Sequence, residues 1–394
     1  MHNFNSFQTL LQQPVSYLCN DMFLRKLALL NFKNYREATI EFHPSVNFFT
    51  GLNGSGKTNL LDAIHYLSMT KSYFNSADSQ NILQGEPFFM IQGEFDKDGT
   101  PEVLMCSVKP GQKKQFKRNR NDYERLSDHI GAFPVVMIAP TDQELLTGGS
   151  ELRRRFADSI ISQFDHGYLD DLIRYNQVLL QRNTLLKQMT AKGLVNWSVF
   201  SVWDEQLLLY GTKIHQTRKE FIDGFNPFFL DLFHFVSGNN DDVSLSYESH
   251  YNDSSPEQLL TGSRSRDLEL QYTSTGVHKD DYIIKIKGFP ARKYASQGQQ
   301  KSIVIAMKLA HYSYLRSRGF SKPIVLLDDI MDKLDENRVE RLMELVSRDE
   351  FGQLFITDSH TKRLATVFDK LAIPYRHFLV RDGMVKTAEE AVEL

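Results

Sequence analysis

The chain has 394 residues, 41% of them hydrophobic, and a formal net charge of −3. That length and apolar content suit two or three domains with real cores, and any nucleic-acid binding must come from local patches because no global basic excess exists. Two cysteines, Cys19 and Cys106, exclude a disulfide framework or a cysteine metal cluster and point to a cytoplasmic protein with free thiols. There is no apolar run long enough to cross a bilayer, and the amino-terminal segment lacks the charged start and apolar centre of a secretion signal.

Residues 1–21 are polar and Gln/Asn-rich without periodicity, so they are expected to be a disordered extension, with Met22 a candidate start. From Phe23 the pattern turns to β. Phe23 to Phe32, Ala38 to Phe42 and Val46 to Thr50 are short strand-like runs, followed by Gly51-Leu52-Asn53-Gly54-Ser55-Gly56-Lys57-Thr58 and a helical run from Lys57 to Met69. The octapeptide fits G-x-x-x-x-G-K-[ST] in the strand-loop-helix context that this phosphate-binding loop requires. Its glycines let backbone N–H groups from Gly51, Asn53, Gly54, Ser55 and Gly56 surround a triphosphate, and the helix opening at Lys57-Thr58-Asn59 turns its positive end to the same anion. Lys57 is expected on the β- and γ-phosphates of ATP and Thr58 on Mg²⁺.

Phe88 to Phe95, Glu102 to Val108 and Val135 to Ile138 complete a β-rich lobe, with hairpin turns at Lys97-Asp98-Gly99 and Pro110-Gly111. Between them lies a basic cluster, Lys109, Lys113, Lys114, Lys117, Arg118 and Arg120. From Thr141 the character is helical: Leu152, Phe156, Ile160, Phe164, Tyr168 and Leu172 recur at four-residue spacing, interrupted at His166-Gly167, and Trp203, Leu207, Tyr210 and Ile214 repeat the stripe. These side chains read as packing between helices. No heptad pattern is sustained, so no long coiled coil is expected. Arg153-Arg154-Arg155 forms a second basic group near the start of this insertion.

Strand signals return at Val243 to Tyr247 and Tyr282 to Ile286. A helix from Gly298 to about Arg316 is followed by Pro323 to Leu327, whose unbroken apolarity means burial on both faces. Helices Asp335 to Ser347 and Lys362 to Ala372 alternate with strands Gln353 to Thr357 and Tyr375 to Val380, which argues for an α/β core. Asp328-Asp329 ends the buried strand where a Mg²⁺ ligand emerges beside a phosphate loop, Asp328 for the metal and Asp329 for polarising the attacking water. A helix-cap carboxylate is the alternative for either.

Ala295-Ser296-Gln297-Gly298-Gln299-Gln300-Lys301 leads into the helix, and in isolation reads as a cap. Together with the phosphate loop and the acidic strand end it resembles the signature motif of ATP-binding-cassette ATPases. That resemblance implies that Ser296, Gly298 and Gln299 complete the nucleotide site of a second subunit, hence ATP-dependent homodimerisation. It also places Asp332 to Asp335 in the dimer-contact loop, His360 as the γ-phosphate-sensing histidine, and Gln143 in the glutamine loop. Gln143 alternatively belongs to a capping box, Thr141-Asp142-Gln143-Glu144.

Several segments together resemble the RecF family: MFLRKLALLNFKNY from Met22, NDYERLSDHIG from Asn121, YNQVLLQRNTLLK from Tyr175, TSTGVHKDD from Thr273, Ser296 to Lys301 and Leu326 to Asp335. Phe74 stands where a basic residue is common, and Asp332-Lys333 replaces a Ser-Glu pair. The resemblance implies an α/β ATP-binding-cassette head with a β-rich lobe over residues 22–140, a helical lobe at 141–240 and completion of the first lobe from 241 to 394. It further implies a slow Mg-ATP-driven dimer that binds double-stranded and gapped DNA and works with RecO, RecR and recombinase. Backbone contacts to DNA are expected from Lys113, Lys114, Lys117, Arg118, Arg153 and Arg154. Two other readings compete: the nucleotide-binding subunit of a transporter, which would not bind DNA, and the head of a nuclease complex, which would call for further His/Asp metal clusters.

Overall fold

The computed structural model describes residues 22–192, 196–238, 241–330, 336–346, 351–359, 361–370 and 372–389. The chain forms two compact units, one from the residues up to Asp142 with Asp231–Gly238 and Lys301–Leu394, the other from Gln143–Leu230 and Asn239–Gln300.

In the first unit, strands with alternating burial and strands buried throughout segregate into two sheets. β1 (Met22–Phe32), β2 (Tyr35–Glu41), β4 (Phe89–Lys97), β5 (Thr100–Val108), β6 (Gln115–Arg118) and β7 (Asn121–Asp122) pair antiparallel in the order β2-β1-β4-β5-β6-β7. One face of that sheet is apolar and the other is wet, which is what a period of two produces. The fully buried runs β3 (Val46–Thr50), β8 (Val135–Ile138), β12 (Ile324–Leu327) and β13 (Leu354–Asp358) join β14 (Tyr375–Arg381) and β15 (Met384–Thr387) in the order β15-β14-β3-β13-β12-β8. All pairs in this second sheet are parallel except β14 with β15.

The helix Lys57–Met69 is buried from Leu60 to Met69, so it has no solvent face. Leu60, Leu61, Ile64 and Leu67 belong to one core with Leu27 and Ile91 of the antiparallel sheet and Met137, Leu326 and Phe355 of the parallel one. A helix buried all round needs cover on every side, and each of these large apolar side chains contributes about 1.5–3 kcal/mol of burial. The helix that follows the phosphate loop is thereby fixed at its root.

The second unit carries the long helices Ser150–Phe164, His166–Lys192 and the greater part of Ser201–Ser237, with β9 (Val243–Glu248), β10 (Asp281–Ile286) and β11 (Phe289–Pro290) in a small antiparallel sheet. Asp165 makes the break at His166, its carboxylate accepting from the Tyr168 N–H at 2.8 Å. Two short helices, Pro256–Gly262 and Arg264–Leu270, occupy a stretch that the apolar periodicity left unassigned. Residues 241–300 cluster with the inserted helices, so the return to the first unit comes at Lys301 and not near 241. Their partners are polar, which a search for apolar period does not register.

Arg182, fully buried, reaches Asp204, Asp267 and Thr273 at 2.8 Å each. Arg218, also buried, takes Asp158 at 2.9 Å, Asp280 at 2.8 Å and the Val277 carbonyl at 2.7 Å. Two helices are thus tied by guanidinium groups to the Thr273–Asp281 segment.

Candidate nucleotide site

The phosphate loop leaves β3 and is held from three sides. Gly51 (φ 155°), Gly54 (φ 80°) and Gly56 (φ 117°) adopt conformations that an L side chain rarely takes. Space is closed as well: a Cβ on Gly51 would lie 2.1 Å from the Val380 carbonyl oxygen, and one on Gly56 would lie 2.5 Å from Asn34 Nδ2 and 2.8 Å from the Tyr35 hydroxyl. Asn34 Nδ2 donates to the Ser55 carbonyl at 3.0 Å, the Tyr35 hydroxyl to the Gly56 carbonyl at 3.0 Å, Asn59 Nδ2 to Asn34 Oδ1 at 2.7 Å and the Gly383 N–H to the Ser55 carbonyl at 3.2 Å. The β1–β2 and β14–β15 turns therefore clamp the loop, a role that motif reading did not assign to Asn34 or Tyr35 although both close the first family-like segment.

Lys57 is buried, its ammonium donating to the carbonyls of Gly51 at 2.8 Å and Leu52 at 3.1 Å, which curls the loop around it. Asn53 and Gly54 form the exposed crest. Ser55 is buried, and its hydroxyl has no hydrogen-bond partner among the described residues.

Parallel register brings the acidic pair to this loop. Leu327 of β12 faces Ile356 of β13, and Thr357 of β13 faces Phe49 of β3, so the three carboxyl ends share one edge of the sheet. Thr58 Oγ1 donates to Asp328 Oδ1 at 2.9 Å with Oδ2 at 3.1 Å, and Thr357 Oγ1 donates to Asp328 Oδ1 at 2.8 Å. Burial raises the Asp328 carboxyl above the ordinary range, against the lowering effect of the two hydroxyls, with the neighbouring Asp329 charge adding to the rise. Asp329 sits at φ 42°, its N–H donating to Thr357 Oγ1 at 2.9 Å, and its buried Oδ1 has no hydrogen-bond partner among the described residues. A hydroxyl and a buried carboxylate meeting at the phosphate loop, beside an orphaned acidic oxygen, form a donor set suited to a hard divalent cation such as Mg²⁺. Thr357 is a member of this set that the sequence reading passed over.

The second unit holds Gln143, Ser296, Gly298 and Gln299 of the expected nucleotide-site residues. Gln143 Nε2 donates to Gln300 Oε1 at 3.0 Å. The capping box from Thr141 is not formed, since the helix Glu144–Thr147 has Gln143 at its N-cap without a side-chain bond. Ser296 and Gln299 cap the helix Gln297–Ser317 reciprocally: the Gln299 N–H donates to Ser296 Oγ at 3.3 Å and the Ser296 N–H to Gln299 Oε1 at 2.8 Å. Gly298 follows in the first turn, half-buried, while Ser296 is exposed. His360 and the Asp332–Asp335 loop lie outside the described residues.

The expected DNA-contacting cations divide. Lys113 is exposed and carries no carboxylate partner among the described residues. Lys114 pairs with Asp78 at 2.8 Å and donates to the Thr70 carbonyl at 2.6 Å, Lys117 lies 3.5 Å from Asp122, and Arg118 clamps Glu102 in two bonds of 2.9 and 2.5 Å. Arg153 requires a correction: it is buried, its guanidinium forked onto Asp281 at 2.7 and 2.9 Å, so it ties the insertion together and has no face to offer a phosphate. Arg154 is half-buried and donates to the Asp280 carbonyl at 2.6 Å.

Residues 23–384 match the family model of the RecF/RecN/SMC N terminal domain. The chain is 45% identical over 370 residues to the DNA replication and repair protein RecF of Bacteroides fragilis strain YCH46, covering 94% of this chain and 99% of that one. It belongs to the RecF family. RecF of Phocaeicola vulgatus is 46% identical over 374 residues, covering 94% and 100% of the two chains. A structure of the recombination mediator protein RecF with ATP, from the RecFOR pathway, superposes with a TM-score of 0.85 at 29% identity over 94% of this chain and 99% of that chain. An SMC head bound to the C-terminal winged-helix domain of ScpA shares the fold, with a TM-score of 0.55 at 16% identity over 94% and 100%. The RecF architecture here is the α/β head of the cassette ATPases with an inserted helical lobe and, among the described residues, no long coiled coil. Among the described residues no helix is long and apolar enough to cross a membrane.

Proposed function

We propose that this chain is a cytoplasmic Mg-ATP-driven DNA clamp of recombinational gap repair. The observation that carries the nucleotide half is the Thr58–Asp328 pair, which joins residues 270 apart in sequence at the mouth of the phosphate loop. Lys57 and the N–H groups of the loop hold the phosphates, and the free Ser55 hydroxyl adds a donor there. Thr58 and Asp328 would hold Mg²⁺, which supplies positive charge against the phosphate oxygens. Asp329, its carboxylate oxygen buried and open, orients the attacking water. Ser296, Gly298 and Gln299 serve the site of a second copy and Gln143 is the glutamine-loop residue, with hydrolysis slow and regulatory and the dimer formed with ATP. His360 is assigned the γ-phosphate in the same scheme.

Family membership supports the DNA half. Double-stranded and gapped DNA is the proposed substrate, and RecO, RecR and the recombinase are the proposed partners. The test is fluorescence anisotropy with a gapped duplex, with and without Mg-ATP. Tighter binding with nucleotide and weaker binding as salt rises are expected. Equal binding in both conditions would break the link between nucleotide and DNA.

A further inference from the structure

We propose that the β10–β11 hairpin and the turn after it form a stacking platform for unpaired DNA bases, a site separate from any that reads duplex phosphates. Lys287 (φ 52°) and Gly288 (φ 80°) make a two-residue turn with both φ positive, the geometry that closes a tight hairpin without splaying its strands. That turn sets Phe289 at the start of β11. A single helical turn, Ala291–Tyr294, follows and is pinned by Ala291, which is fully buried. The result holds two large rings in water: Phe289 is 55% and Tyr294 63% exposed, with centroids 5.0 Å apart and planes at 37°.

Exposed rings on a rigid support lose little entropy when a flat partner lands on them, and their surroundings select the partner. Arg292 and Lys293 lie between the two rings in sequence, are exposed, and have no carboxylate partner among the described residues. Lys285 stands two residues before Lys287 on the outward side of β10, and Lys287 is exposed although it touches Asp241 at 3.1 Å. Aromatic faces interleaved with cations fit single-stranded nucleic acid, whose bases stack while its phosphates meet the positive charge. A duplex keeps its bases stacked on each other and has no use for the rings.

The inference rests on the proposed DNA engagement and deepens it by giving the unpaired strand of a gap its own contact. The experiment uses the full chain with Mg-ATP and measures anisotropy with a labelled 20-mer of deoxythymidine and with a blunt duplex of equal length. Phe289→Ala with Tyr294→Ala is expected to weaken single-strand binding roughly 10- to 100-fold and duplex binding less than about twofold, while Phe289→Trp retains single-strand affinity. Cross-linking of 5-iodouracil in the single strand to Phe289 or Tyr294 of the unaltered protein gives the same answer without reliance on a variant's folding. Unchanged single-strand affinity in the double variant, or cross-links that miss both rings, would overturn the platform. So would loss of ATP-driven dimerisation with DNA affinity intact, which would make the patch a contact with a second copy. Wild-type binding to duplex but not to the 20-mer sinks the platform alone, whereas binding to neither sinks the DNA reading with it.

Discussion

Asp328→Asn separates the metal-holding role of this carboxylate from its structural one. The wild-type group accepts bonds of 2.9 and 3.1 Å from Thr58 and 2.8 Å from Thr357 in a buried setting that raises its pKa. An amide oxygen keeps an acceptor for both hydroxyls. What is lost is the charge assistance, about 1 kcal/mol, and what is gained is relief from burying a charge, of similar size and opposite sign. Without nucleotide the variant should therefore fall within about 1 kcal/mol of the wild type.

The sign with pH is set by the raised carboxyl. A folded pKa above the unfolded 3.8 means that ionisation opposes folding, so the contribution is present below the unfolded value and is lost as pH rises through the folded one. Relative to the Asp328→Asn variant, the nucleotide-free wild type should lose stability over that rise and then run parallel. Bound Mg²⁺ reverses the preference. At nucleotide about 100-fold above Kd, binding stabilises by about 2.7 kcal/mol, a Tm increase of roughly 5–10 °C for a domain of a few hundred residues. Thermal unfolding with ATP, with and without Mg²⁺, measures the increment. The wild type should show a Mg²⁺-dependent increase that the variant lacks. A full Mg²⁺-dependent increment in Asp328→Asn would show that the metal is held elsewhere.

Gly56→Ala places a methyl 2.5 Å from Asn34 Nδ2 at φ 117°, so a loss of at least about 1–3 kcal/mol in denaturant unfolding and weaker ATP binding by calorimetry are expected, and wild-type values for both would refute the clamp. Arg182→Met leaves Asp204 and Asp267 buried without their cation, which should cost about 3–5 kcal/mol, whereas the triple variant with both aspartates changed to Asn should recover much of it. Acid should act through buried histidines of the first unit. Burial lowers His65 and His129 to about 4 and His311 to about 3, so each is neutral when folded but takes a proton near 6.5 when unfolded. Stability from them is complete above pH 6.5 and lost as pH falls through those folded values, at about 2 kcal/mol each by pH 5. Urea midpoints that stay level from pH 7.5 to 5 would contradict their burial as neutral groups.

Where one residue type serves one physical end, the sequence was easy to read. β3, β12 and β13 announce themselves because a strand covered on both faces has no polar position, and the helix at Lys57 because the loop motif must be followed by one. β6 was missed because Lys113, Lys114, Lys117 and Arg118 read as charge, although Phe116 is buried in the core and Lys114, Lys117 and Arg118 find the carboxylates of Asp78, Asp122 and Glu102. The helix Pro256–Gly262 had a usable signal, Ser255 before a proline at the first turn, and the Ser255 hydroxyl does accept from the Gln258 N–H at 3.2 Å. Asn34, Tyr35 and Thr357 had none in isolation. Their importance comes from which strand ends are neighbours, and sheet order is a long-range property that local patterns do not encode.

What a run of basic residues means depends on where each side chain is sent. Arg153-Arg154-Arg155 looks like a phosphate-binding stripe, yet a helix turns its side chains about 100° per residue and sends consecutive arginines to different surroundings. Arg153 is buried on Asp281, Arg154 bonds the Asp280 carbonyl, and the exposed Arg155 pairs with Glu151 one turn earlier. Asp281 comes from far along the chain, Glu151 from the same helix, and Arg154 meets a backbone carbonyl, so no count of lysines and arginines along the sequence could have shown which charges are matched. A surface that reads DNA phosphates has to be sought where cations are both exposed and unmatched. Among the described residues Lys109, Lys113 and Arg120 around β6 in the first unit, and Arg292 and Lys293 beside the paired rings in the second, meet that condition close together in sequence, whereas others that meet it, such as Arg25, Lys187 and Lys219, stand apart. Reversing the charge of the first group should lower affinity for duplex and single strand alike and flatten the salt dependence, whereas reversing the second should bear chiefly on the single strand.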